Sequence, residues 1–112
     1  YLSPHIAKEK TDFIGMREYQ NFLFIHNKNA GIEIHNAIGK QIRLIPGKEI
    51  RYFNFLGEEL YFALNDKLIF FDLFDGKTHE LPIEKGVQFM LLTDERVFKV
   101  FEDRIVIDLK NP

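Results

Sequence analysis

The sequence has no cysteine, so neither a disulfide framework nor thiolate chemistry is open to it, and a metal site would have to draw on histidine and carboxylates alone. Ser3 is the only serine and no Gly-x-Ser-x-Gly elbow occurs, which removes serine nucleophiles from consideration. The 7 glycines fall one to a turn and never cluster into a phosphate-cradling loop. Tryptophan is absent. An excess of one charge is missing too: 15 Lys+Arg stand against 17 Asp+Glu, a net charge of −2 that argues against a basic nucleic-acid surface. No apolar run approaches the roughly 18 residues of a membrane-spanning helix, and no charged start followed by an apolar stretch marks a signal peptide. No window sustains apolar residues at i, i+3, i+4 and i+7, so helix is scarce.

What is present is repetition. Ile34-His35-Asn36-Ala37-Ile38-Gly39-Lys40 is similar to Phe71-Asp72-Leu73-Phe74-Asp75-Gly76-Lys77, and the two glycines lie 37 positions apart. The same offset carries Ile50 onto Val87, Phe53 onto Met90, Leu60 onto Val97, Leu64 onto Phe101 and Asp66 onto Asp103; backwards, it takes Ile50 to Phe13 and Leu60 to Leu23. Three copies follow, beginning near Phe13, Ile50 and Val87. Each alternates short apolar runs with polar turns, the pattern of short strands at regular spacing. The middle copy has runs at 50–55, 60–64, 68–73 and 77–81, with Asp75-Gly76 as a hairpin signal because glycine takes positive φ without steric cost. Pro46 and Pro82 mark exits from a sheet, having no amide to donate.

Four strands per copy and a period near 40 are the mark of a β-propeller blade. The fold class is therefore all-β: a β-propeller portion of about three four-stranded antiparallel blades, at about 13–48, 50–85 and 87–112. The third copy runs out at Arg104–Leu109, so the last blade lacks its outer strand. The whole of 1–112 reads as a single partial propeller domain, with 1–12 a linker or an outer strand from a preceding blade.

The stretch from Leu60 through Asn65-Asp66-Lys67 to Asp72-Leu73-Phe74-Asp75-Gly76-Lys77 resembles the blade shared by six-bladed propellers of the NHL and TolB-like groups, of WD40-like form. The likeness covers nearly the whole chain after Thr11. It implies the C-terminal half of a longer propeller, with the missing strand supplied by the remainder of its own polypeptide or by a second copy, whose Tyr1-Leu2-Ser3 is the local candidate. In Phe, Ile, Lys and Asn usage the chain is also similar to Bacteroidetes-type envelope propellers. That likeness implies the bacterial cell envelope, periplasmic or outer-membrane associated, with the cytoplasm as the alternative.

Candidate chemistry is thin. His26 and His35 flank one turn and could share a metal, but hairpin pairing sets His26 opposite Gly31 or Ile32 and His35 opposite Phe22 or Leu23, several positions apart. Glu58-Glu59, Asp94-Glu95 and Glu102-Asp103 are turn neighbours whose side chains diverge into solvent, a poor basis for paired-acid hydrolysis. Asp66 and Asp103 recur at the repeat offset and read first as turn formers bonding their own backbone. The aromatic runs read as inter-blade core.

The expectation is a non-enzymatic protein-interaction or scaffold propeller, an accessory part of a larger envelope assembly. It has no catalytic residues, metal or cofactor, no nucleic-acid partner and no membrane-spanning segment. The alternative is a small-molecule or glycan site in a central channel, hydrolytic or not, using Arg51, Asn54 and Gln88 on the innermost strands.

Overall fold

The structure, a computed structural model, describes residues 12–110. Tyr1-Leu2-Ser3 and nearly all of the expected 1–12 linker lie outside the described residues. Every regular element among those described is a strand, and all pairings are antiparallel between chain neighbours. β1 (Phe13–Tyr19), β2 (Phe22–Asn27), β3 (Gly31–His35) and β4 (Gln41–Pro46) form a sheet in that order. β5 (Tyr52–Leu56), β6 (Glu59–Leu64), β7 (Lys67–Asp72) and β8 (Thr78–Pro82) form a second. β9 (Phe89–Leu92), β10 (Arg96–Val100) and β11 (Ile105–Leu109) form a third, three-stranded sheet. These are three propeller-like blades of four, four and three strands, and the third has no outer strand beside β11 among the described residues. Pro46 and Pro82 are the last residues of β4 and β8, outer strands where a missing donor costs no ladder bond.

The chain divides into two compact units, residues 1–48 and 49–112. In the first, β2 and β3 carry most of the buried side chains: Phe24, His26, Ile32, Glu33 and Ile34 are all at most 4% exposed, and Ile45 of β4 is buried with them. Gly31 is indispensable to the β2–β3 turn. Its φ is +122°, and a Cβ there would sit 2.0 Å from the carbonyl oxygen of Ile45. The next turn is organised by Asn36, whose Oδ1 accepts the amides of Ile38 at 3.1 Å and Lys40 at 3.0 Å. Asp72 does the same in the second blade, accepting from Phe74 at 2.8 Å and Asp75 at 3.0 Å. The working equivalence is thus Asn36 with Asp72, 36 positions apart, although Gly39 and Gly76 are 37 apart. The second blade's turn is one residue longer, and the first blade absorbs the difference as a register shift between Ile34 and His35 against β4.

In the second unit the core lies between the β5–β8 and β9–β11 sheets. Tyr61, Ala63, Leu68, Phe70 and Leu92 are buried together, with Tyr52, Leu56, Ile83, Met90 and Val97 packed against them. Strand period explains the selection: Tyr52, Ala63 and Leu68 are cross-strand partners on one face, and Tyr61 and Phe70 are the next such row. Burying each large side chain contributes about 1.5–3 kcal/mol.

Two of these residues also meet a backbone need. Thr93 and Arg96 close the β9–β10 hairpin through a 2.9 Å bond, so the amides of Met90 and Leu92, at alternate positions, point away from β10. The Leu92 N–H donates to Tyr61 Oη at 2.9 Å and the Met90 N–H to Tyr52 Oη at 3.1 Å. Two hydroxyls of one blade thereby satisfy the open edge of the next blade's first strand.

Candidate functional site

Because consecutive strands alternate in direction, the β6–β7 turn, the β8–β9 connection, the β10–β11 turn and the entry to β5 gather on one rim of the second unit. Two adjoining clefts occupy this rim. One is lined by Arg51, Asp66 and Ile83 through Val87; the other by Lys85 through Gln88 and Phe101 through Arg104. Lys85, Gly86 and Val87 belong to both.

The rim is charged and mixed in sign. Arg104 packs its guanidinium 4.1 Å from the Phe101 ring centre and pairs with Asp103 at 3.0 Å. Glu84 pairs with Lys99 at 3.3 Å. The Arg51 guanidinium lies 5.7 Å from the ring centre of Tyr52, while its backbone N–H is fixed to Ala63 O at 3.0 Å. The Tyr52 phenol is held above its usual value of 10.0, chiefly by burial, with the Arg51 charge pulling the other way. Ile83 N–H donates to Asp66 O at 2.8 Å, so the two turns of the rim are stitched through backbone.

Of the three channel residues expected from the sequence, the fold brings two to this rim. Arg51 lines the first cleft and Gln88 the second. Asn54 is apart from them, within β5, where its Oδ1 accepts the amide of Phe55 at 2.9 Å. Asp66 and Asp103 do occupy matching turns, yet they are tied in differently from the expected self-bonded form, Asp66 through its carbonyl and Asp103 through the Arg104 side chain. Asn36 and Asp72 are the residues that bond their own turns, a role the Asn/Asp-x-x-(x)-Gly spacing could have indicated.

The histidine registers are as pairing rules require: His26 faces Ile32 and His35 faces Leu23. His35 is instead part of a local cluster absent from the sequence reading. Its Nε2 lies 3.0 Å from Glu33 Oε1, its Nδ1 lies 3.1 Å from Gly39 O, and Asn27 Nδ2 donates to Glu33 Oε2. Glu33 and His35 point to one face because they are two residues apart on a strand. The cluster satisfies a buried carboxylate, as such a group demands. Among the described residues, no three His, Asp or Glu side chains are grouped so as to hold a metal ion. No described helix is long and apolar enough to cross a membrane.

No protein-family model matches the sequence, and no curated protein is significantly similar to it. Solved β-propellers do resemble its fold. The N-terminal domain of Nup159 superposes with a TM-score of 0.63 at 12% identity, over 89% of this chain and 30% of that one. Kluyveromyces lactis Hsv2p gives 0.59 at 16%, over 87% and 33%. The computationally designed Ika8 protein gives 0.64 at 12%, over 88% and 33%. A chain in the S. cerevisiae structure of Dbp5 bound to Nup159 and Gle1 also matches, with a TM-score of 0.64. The chain spans about a third of the length of the solved chains it matches.

Proposed function

We propose, from a blade architecture shared with solved propellers, that this chain is a non-catalytic protein-interaction or scaffold module, acting with further blades to complete its sheet stack. The observation that carries this reading is the rim of the second unit, where Arg51, Asp66, Glu84, Lys85, Gln88, Asp103 and Arg104 are exposed on short turns. The β6–β7 turn of two residues and the β10–β11 turn of four, each set between paired strands, have little freedom to lose on binding, and mixed charge favours recognition of a complementary protein surface. The presence of Nup159 in a solved multiprotein complex supports the same reading. The narrower likeness to six-bladed NHL and TolB-like propellers and the envelope location are parts of the proposal; they rest on the Leu60–Lys77 pattern and on residue usage.

The test is quantitative capture from the native source with wild type, with a rim variant (Arg51→Glu, Lys85→Glu) and with a control altered at the opposite turns (Glu58→Lys, Asp94→Lys). Partners retained by the control and lost with the rim variant are the expected result. Identical partner sets for the two variants, or turnover of glycans or phosphodiesters by the pure protein, would overturn the reading. A small polar ligand is the second reading, favoured by Arg51 and Gln88 lining adjoining clefts. Glycan-array binding lost in Gln88→Ala checks it.

A further inference from the structure

We propose that β11 is a self-complementary edge and that two copies of this chain pair through it, antiparallel and centred on Val106, to give a continuous six-stranded sheet across the two third blades. The inference stands beside the proposed rim function and does not depend on it.

Backbone comes first. Phe101 N–H donates to Arg104 O at 2.8 Å at one end of the β10–β11 ladder, and Lys110 N–H to Glu95 O at 2.8 Å at the other. Between these, bonding alternates, so Arg104, Val106 and Asp108 direct their amides and carbonyls at β10, and Ile105, Ile107 and Leu109 direct theirs outward. No strand of the described chain meets that outward row. In the first two blades the same edge of the third strand is occupied, by β4 on β3 and β8 on β7, so the position accepts a strand by construction of the repeat.

Side chains then select the partner. Ile105, Ile107 and Leu109 share one face and are 64%, 57% and 75% exposed, a degree of apolar exposure that an edge strand normally avoids. The opposite face carries Val106 and Asp108, with Arg104 directly before the strand in the same register. When a second β11 is laid antiparallel about Val106, Ile105 meets Ile107 of the other copy as a hydrogen-bonded pair, and Arg104 meets Asp108 of the other copy, twice by symmetry. Of the other in-phase registers, one centred on Leu109 sets Asp108 against Lys110 but matches only Leu109 with a residue of the other β11, and the rest fail on charge. Centring on Ile107 sets Arg104 against Lys110, centring on Asp108 sets that aspartate against itself, and centring on Ile105 sets Asp108 against Glu102. The present partners, Asp103 at 3.0 Å from Arg104 and Lys99 at 3.5 Å from Asp108, are exposed or half-exposed pairs that exchange at little cost. Residues 1–11 offer a poorer occupant: they contain no apolar–acidic–apolar alternation, and their one acid, Glu9, lies between two lysines.

Sedimentation velocity across a concentration series, with circular dichroism of each variant as the folding control, tests the pairing. Wild type is expected to show a monomer–dimer equilibrium. Arg104→Asp and Asp108→Arg should each weaken it by about tenfold or more, since two like-charged pairs replace two opposite ones. The double variant should restore the dimer, and mixing the two single variants should give a heterodimer in preference to either homodimer. Ile107→Pro, which removes an outward amide without touching the β10 ladder, should abolish association. A chain that is monomeric throughout, or a dimer indifferent to either charge swap and to Ile107→Pro, would sink the proposal. So would failure of the double variant to recover.

Discussion

Tyr61 shows how one atom can join a local sequence choice to the packing of two blades. Its ring is wholly buried beside Phe70, at 5.8 Å between ring centres, and its hydroxyl accepts the Leu92 amide. Phenylalanine would keep the ring and leave a buried N–H without its acceptor. Tyr61→Phe is therefore expected to destabilise the second unit by about 1–3 kcal/mol, read from urea unfolding. Tyr52→Phe should cost less, about 0.5–1.5 kcal/mol, because Tyr52 is half-buried and water can replace part of the bond. Tyr52 also yields a prediction in pH. Its folded pKa is raised, so its contribution to stability is complete below the ordinary value of 10.0 and is lost as pH rises through the higher folded value. Ultraviolet difference titration of wild type against Tyr52→Phe should show a phenol ionising above 10.0; ionisation at or below it would contradict the packing described.

Turns act at the scale of the element. Asn36 and Asp72 each bind two amides of the hairpin that follows, and glycines at +87° and +74° complete both turns. The Asp75 and Phe74 amides hold the Asp72 carboxyl below its usual 3.8. The sign follows: this stabilisation is present above pH 3.8 and disappears as pH falls through the lower folded value. Asp72→Asn, which keeps the acceptor oxygen and removes the charge, should flatten the acid limb of the stability–pH curve; an unchanged limb would show that the turn does not depend on the carboxylate. Much at this scale was legible beforehand. The run expected at 60–64 is β6 (Glu59–Leu64), that at 68–73 is β7 (Lys67–Asp72), and that at 77–81 is β8 (Thr78–Pro82). The shift from 37 to 36 between matching turn residues was not legible, because a one-residue exchange between a turn and a strand irregularity leaves the overall period unchanged.

Across the molecule, stability should be graded by strand position. β2, β3, β6, β7 and β10 are flanked on both edges, and the first four hold most of the buried residues, whereas β4 and β8 are almost entirely exposed edge strands. Hydrogen exchange followed by mass spectrometry should find the slowest amides in β2, β3, β6 and β7 and faster exchange in β4, β8 and β11, with Leu92 as the slow exception in an edge strand. Uniform protection across each blade would disagree with that order. The candidate rim belongs to this scale too. Arg51 and Gln88 were expected on the innermost strands beside a central channel, but the clefts beside them form only when the β8–β9 connection folds back against the β6–β7 turn.

The amino-acid sequence by itself determined the strand content and the blade period, because alternation of apolar residues and the spacing of turn formers are local properties that survive without a partner surface. Tertiary structure alone decided which side chains serve a neighbouring blade. The bonds of Tyr61 to Leu92 and Tyr52 to Met90 span 31 and 38 residues, and the Glu33–His35–Asn27 cluster depends on the pairing of β2 with β3. Such contacts are set by the register and approach of whole sheets, and a period in the sequence specifies that a sheet recurs without specifying which atoms meet when two are laid together.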